Sequence, residues 1–341
     1  MRFSHLLAGT AVVAIAALAT DAHAGATFDA IMDRGELRCG VSTGLAGFSL
    51  PDAQGNWTGL DVDYCRAVAA AMLGDAGAVE FVPLTAQQRF TALQSGEVDI
   101  LSRNTTWTLT RDASLGLHFA GVTFFDGQGF MVPADLGVQS ALELDGAEVC
   151  VQPGTTTELN LADYFRANNM EFTGVVIEGF EQSLETFFAG RCQVYTTDKS
   201  GLAAIIANDA PDPDAYVILP ETISKEPLGP VVRRGDDEFF AVAKWVTFGL
   251  IEAEEAGVNS GNVDEMLESD NPTIQRLLGQ GDAMGDMLGL PADWGYQMIS
   301  QVGNYGEIFE RNVGPDTPLR LERGQNDLWT RGGLMYAMPV R

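Results

Sequence analysis

The sequence predicts an α/β protein of two similar lobes, and three observations carry that reading. Short apolar strand-like runs alternate with helical stretches, the pattern of parallel βαβ units. The same order of strand, polar loop and helix then recurs further along the chain. Four cysteines fall as sequence neighbours, Cys39 with Cys65 and Cys150 with Cys192, one pair in each copy.

In the first copy, residues 36–41 (ELRCGV) read as a strand that ends in the glycine-rich loop 42–47. Gly59 precedes an alanine-rich helix that runs to Leu73, and residues 80–82 form a second strand. Thr85 caps a helix through Leu93, with Phe90 and Leu93 on its buried face. Ser95 and Gly96 end it, and the apolar run 98–101 (VDIL) begins the third strand. The second copy has a strand at 148–151, the loop 153–157 (PGTTT), a helix over 156–167 and a strand at 174–177. A helix through Phe187 and Phe188 ends at Gly190, and 192–195 are the next strand. The third strand of each copy exits into paired threonines, Thr105-Thr106 and Thr196-Thr197.

Compartment and chemistry follow from composition. Arg2, the apolar run 6–19 and the small-x-small triplet Ala22-His23-Ala24 predict an export signal over residues 1–24. The run is too short for a comfortable membrane span, and no second apolar stretch follows it. A soluble periplasmic chain starting near Gly25 is expected, too long for one ordinary core. An even cysteine count in an exported chain favours two disulfides. Of the three pairings, sequence neighbours point to Cys39–Cys65 and Cys150–Cys192. A net charge of −27 repels nucleic acid and anionic lipid. His5 and His23 leave with the signal, so His118 alone remains for any histidine-dependent chemistry. Residues 40–44 match G-x-S-x-G, but Gly44, Gly47 and Pro51 make the segment a loop where a nucleophile elbow needs a helix. No catalytic residue, metal or cofactor is implied.

Ligands of open α/β sheets sit outside the carboxyl ends of the strands. Three polar loops leave such ends: 102–111 (SRNTTWTLTR), 153–158 and 196–200. Facing lobes would bring them to one cleft. Arg111 offers a planar fork suited to a carboxylate, and Arg103 is either a second contact or a surface residue. Thr155 and Glu158 form a capping box, while the helix start itself, with the Thr156 hydroxyl, favours an anion. Asp198 suits an ammonium group. An arginine, a helix start and an aspartate describe an α-amino acid. Trp107 and Leu109 read as core, because alternate residues of an extended exit face inward.

These residues resemble the amino-acid family of periplasmic solute-binding proteins, which feed ABC importers. The carrying stretches are 59–63 (GLDVD), Phe90 to Thr110 with Arg111, Gly154-Thr155-Thr156 and Asp198. Residues 55–61 (GNWTGLD), 102–107 (SRNTTW) and 304–312 (NYGEIFERN) resemble the general L-amino-acid-binding subfamily. The resemblance implies a type II periplasmic binding protein, or venus flytrap. Lobe one would span 25–130 plus 230–341 and lobe two 131–229, with crossings near 129–131 and 230–232. It assigns the ligand carboxylate to Arg111, Thr106 and Thr156, and the ammonium to Asn104 and Asp198. A monomer that delivers L-amino acids to an inner-membrane permease is implied, with polar and acidic ones and their amides favoured. A sensor subunit docking on a membrane receptor and a periplasmic dehydratase on the same fold are the alternatives. Ser42 and Leu45 stand where basic-amino-acid binders carry an acid and an aromatic. The tail beyond Gly281 is longer than in compact members.

Overall fold

Leu37, Cys39 and Val41 have no exposed surface, as befits the strand Leu37–Val41, an inner strand of its sheet. It pairs in parallel with Val79–Pro83 on one side and Ile100–Leu101 on the other. Val231–Arg233 then joins antiparallel between Ile100–Leu101 and Leu117–Phe119, closing a five-stranded sheet. The second sheet repeats this order: Phe172–Val176, Ala147–Val151, Val194–Asp198, Gln128–Pro133 and Tyr216–Ile218. In each sheet the fourth place holds an antiparallel strand that arrives from the other lobe. The computed structural model describes residues 25–281 and 284–341, and the export segment read at 1–24 lies outside the described residues.

Several expectations shift by a few residues. The helix read from Thr85 begins at Arg89, because the Thr85 hydroxyl first accepts the Gln88 N–H at 3.2 Å and forms a separate turn. The strand read at 192–195 is Val194–Asp198, so Thr196 and Thr197 lie within it. Gln128–Pro133 belongs whole to the second sheet, with Phe130 and Met131 fully buried, so a boundary at 130 cuts a strand. The chain crosses instead at Phe124–Asp126 and Glu226–Leu228, which pair antiparallel as a two-stranded ribbon. Both cysteine pairs, Cys39–Cys65 and Cys150–Cys192, are joined, each within one half of the fold.

The helix Leu60–Leu73 crosses the first lobe almost wholly buried. Its entry requires Gly59, at φ 133°, because a Cβ there would stand 2.1 Å from the Phe48 carbonyl oxygen. Tyr64 donates to the Ala243 carbonyl at 2.7 Å and ties this helix to the long helix Asp237–Glu255.

The tail packs on the same lobe. Arg323 lies over the rings of Tyr305 and Phe309 and pairs with Glu254 at 3.0 Å. From there Asn326 reaches the ribbon. Phe125 faces Pro227, whose nitrogen carries no hydrogen, and turns its own N–H and C=O to the other edge. Asn326 takes both, accepting from the Phe125 N–H at 2.6 Å and donating to its oxygen at 3.0 Å. Asn326→Ala strands these groups away from water, so it should cost about 1–3 kcal/mol of unfolding free energy. Denaturant unfolding measures it, and an unchanged midpoint at unchanged slope would show that Asn326 is not needed there.

Candidate functional site

The polar run 102–107 is built onto the ribbon. Ser102 Oγ donates to Asp61 Oδ1 at 3.0 Å and the Asn104 N–H to Asp61 Oδ2 at 2.8 Å. Asn104 adopts φ 33°, a left-handed conformation that asparagine tolerates better than most residues. The Trp107 N–H then bonds the Pro227 oxygen at 2.8 Å and the Gly229 N–H the Thr105 oxygen at 3.0 Å. The loop is thus a third ply of the ribbon. Thr108 stops the extended stretch by accepting the Arg111 N–H at 3.2 Å and starting the helix Leu109–Ser114. That turn reverses the inward reading of Trp107 and Leu109, which are 40% and 83% exposed, and buries Arg111 instead.

In the second lobe Thr155 caps the helix Thr156–Ala167, accepting the Glu158 N–H at 3.1 Å. The reciprocal half of the predicted capping box is displaced, because Glu158 accepts from the Gly154 N–H at 3.0 Å. Asp198 ends its strand and is buried. The lobes touch across the cleft: Thr106 Oγ1 lies 3.1 Å from Thr156 Oγ1, and Thr85 donates to Glu178 at 2.9 Å.

Arg103, Asn104, Thr106, Thr156 and Asp198 line one cavity between the lobes, together with Leu45 and Phe180 as apolar wall. Arg103 is a buried residue whose Nε donates to the Leu84 oxygen at 2.8 Å, not a surface one. Arg111 is not part of that wall. Its Nη1 donates to the Thr106 oxygen at 2.9 Å, and its guanidinium lies 5.1 Å from the centre of the Phe90 ring. Two residues were absent from the sequence reading. Arg89, buried on the cavity wall, reads in sequence as ordinary helix although it follows the carboxyl end of Val79–Pro83, as the other polar loops follow theirs. Glu226 carried no signal, since it sits in a polar segment that reads as linker. Its carboxylate accepts from Thr106, Thr156, Asn160 and Ser224.

Burial dominates the electrostatics. It pushes Arg103 and Arg111 down to about 10, so both remain cationic at neutral pH. Burial, then the neighbouring Arg111 and Arg103, pushes Arg89 well below its ordinary value. Burial, followed by Asp126 and Glu226, holds Asp198 well above the usual carboxylate range. Among the described residues, three buried polar atoms of this cavity's residues have no partner: the Arg89 Nε donor and the acceptors Asn104 Oδ1 and Asp198 Oδ1.

Two α/β lobes on a two-stranded ribbon, closing over a cavity with unpaired donors and acceptors, define a bilobal ligand-capturing protein. The chain belongs to the bacterial extracellular solute-binding proteins, family 3, whose pattern matches residues 37–277. It is 54% identical to the general L-amino acid-binding periplasmic protein AapJ of Rhizobium johnstonii, over 98% of this chain and 97% of that one. Identity to the glutamate/glutamine/aspartate/asparagine-binding protein BztA of Rhodobacter capsulatus is 53%, covering 96% and 97%. Among solved structures, an ABC-transporter periplasmic binding protein from Brucella ovis with glutathione bound matches at TM-score 0.90. It is 55% identical and covers 92% of this chain and 99% of that one.

Asp61, which anchors the polar loop, is raised to about 6 by burial, against hydrogen bonds from Asn104 and Ser102 and the charge of Arg103. The folded state therefore holds this proton more tightly than the unfolded chain. The resulting stability is full below about pH 4 and is lost as pH rises through about 6. Relative to Asp61→Asn, the parent should gain about 2 kcal/mol as pH falls from 7 to 4. Parallel stability profiles of the two proteins would contradict this.

Proposed function

We propose that this protein is exported to the periplasm, captures L-amino acids there and delivers them to an ABC permease in the inner membrane. Polar and acidic amino acids and their amides are the favoured ligands. The observation that carries the reading is the set of unpaired atoms, a guanidinium donor and two acceptors on one cavity. A zwitterion satisfies both kinds at once, whereas a plain anion or a plain cation leaves one kind buried without a partner.

In this reading the α-carboxylate lies at the helix start at Thr156, met by the unpaired Nε of Arg89 on the wall and by Arg111 from behind Thr106, and Asp198 and Asn104 take the ammonium. Among the described residues, the Arg111 side chain donates to protein only through Nη1, which leaves the rest of its fork for the ligand. Arg89 and Arg103 put two guanidiniums on the cavity wall itself, more than one α-carboxylate occupies, which favours a ligand side chain bearing a carboxylate or an amide oxygen. Leu45 and Phe180 give an aliphatic side chain somewhere to lie, which supports breadth. The relatives named for L-amino acids in general, and for glutamate, aspartate and their amides, agree with this range. Glutathione, bound in the Brucella ovis protein, ends in a γ-glutamyl unit with a free ammonium and carboxylate.

Calorimetric titration with glutamate, glutamine and leucine tests the roles. Asp198→Asn should weaken all three alike, because every amino acid carries the ammonium. Arg111→Ala should also weaken all three, by roughly tenfold or more and beyond the loss in Thr106→Ala, since a charge-assisted bond outweighs a neutral one. Arg89→Ala should weaken glutamate more than leucine. An Arg111→Ala protein that binds all three as the parent does would place the carboxylate elsewhere.

A further inference from the structure

We propose that Glu226 is a positioning residue of the binding site: its carboxylate consumes the hydroxyl protons of Thr106 and Thr156, so both hydroxyls meet the ligand as acceptors and select its ammonium. The inference rests on the amino-acid reading above and goes beyond it in assigning a residue of the ribbon to specificity.

Glu226 opens the strand Glu226–Leu228 and is 1% exposed. Its Oε1 accepts from Asn160 Nδ2 at 2.7 Å and from Ser224 Oγ at 2.5 Å. Its Oε2 accepts from Thr106 Oγ1 at 2.6 Å and from Thr156 Oγ1 at 2.9 Å. The two threonine oxygens are themselves 3.1 Å apart, so three oxygens form a closed triangle.

Each hydroxyl brings one proton, and an ionised carboxylate brings none and can only accept. Three contacts therefore share two protons. The shortest contacts run to Glu226, and a hydroxyl bond to an ionised acceptor is the stronger kind. Both protons go there, and the Thr106–Thr156 contact is left without one. What the hydroxyls turn toward the cavity, which both residues line, is lone pairs.

That assignment departs from the sequence reading of Thr106 and Thr156 as hydroxyl donors to a carboxylate. It groups their oxygens with the unpaired acceptors Asn104 Oδ1 and Asp198 Oδ1 on the same cavity. Four acceptor oxygens from both lobes then converge on one cationic group. The carboxylate is left to the guanidiniums and to the backbone N–H groups at the start of the helix Thr156–Ala167. Glu226 touches no part of this ligand itself. It acts through the hydroxyls, and because those come from opposite lobes, it links discrimination to closure.

The test is the ratio of affinities for L-glutamate and for glutarate, which lacks only the ammonium. The parent should prefer glutamate. Glu226→Ala frees the hydroxyl protons to face the cavity, so glutamate should weaken by roughly tenfold while glutarate does not weaken, and the ratio falls. Glu226→Gln keeps an acceptor oxygen for the hydroxyls and should hold the ratio near that of the parent. Thr106→Val, which removes a hydroxyl at nearly constant shape, should lower the ratio even if Glu226→Ala proves too unstable to measure. Equal weakening of both ligands in Glu226→Ala, or a parental ratio in Thr106→Val, would overturn the assignment while leaving amino-acid binding intact. A parent that binds no amino acid would overturn the function and this role together.

Discussion

The ribbon of Phe124–Asp126 and Glu226–Leu228 has two edges, and the rest of the molecule is arranged around satisfying them. A bare two-stranded ribbon leaves backbone donors and acceptors unpaired on both sides. One edge is closed by the loop 105–107, through the Trp107 N–H on Pro227 and the Gly229 N–H on Thr105. The other is closed by Asn326, which holds both backbone groups of Phe125. The connection between the lobes is therefore fastened to a wall of the cavity on one side and to the tail on the other. A change in the ribbon's bend would carry Thr106 and Glu226 with it, which couples closure to the state of the site.

Charge makes the same site demanding. Arg89, Arg103 and Arg111 are buried with Asp61, Asp198 and Glu226 as the charges that oppose them, and Asp126 lies beside the last two. Desolvation of such groups is recovered only when each has a partner of good geometry. Glu226 is saturated by four side-chain donors, whereas Arg89 Nε and Asp198 Oδ1 have none among the described residues. In the proposed reading a ligand carrying one carboxylate and one ammonium completes the set, and its affinity comes from pairing groups that the closed lobes have already removed from water.

Much of the architecture was legible because it is local. The repeat of strand, loop and helix, the buried runs at Leu37–Val41 and Ala147–Val151, the helix Thr156–Ala167 and the pairing of cysteines by neighbourhood all depend on residues close in sequence. Arg103, Thr156 and Asp198 follow from one rule, that ligands meet strand carboxyl ends, and Asn104 and Thr106 from the family resemblance; these five share a cavity whose lining leaves out Arg111, which the same rule favours most. The misses are of another kind. Trp107 and Leu109 turn outward because Thr108 caps a helix where an extended exit was read. Apart from Ser224 beside it, Glu226 works through partners more than sixty residues away, as does the Asn326 side chain, and no local pattern distinguishes such a glutamate or asparagine from a linker residue. The sequence puts the crossing a few residues late, at Phe130 and Met131, whose burial makes them the heart of a strand.

The central claim is that one zwitterion completes the buried charges between the lobes. A crystal structure of the protein with L-glutamate tests it most directly. The account predicts the α-ammonium within hydrogen-bond distance of Asp198, Asn104 and the Thr106 hydroxyl, with the α-carboxylate on the guanidiniums of Arg89 and Arg111. A ligand bound outside the cleft, or one reversed so that its α-carboxylate faces Asp198, would contradict it.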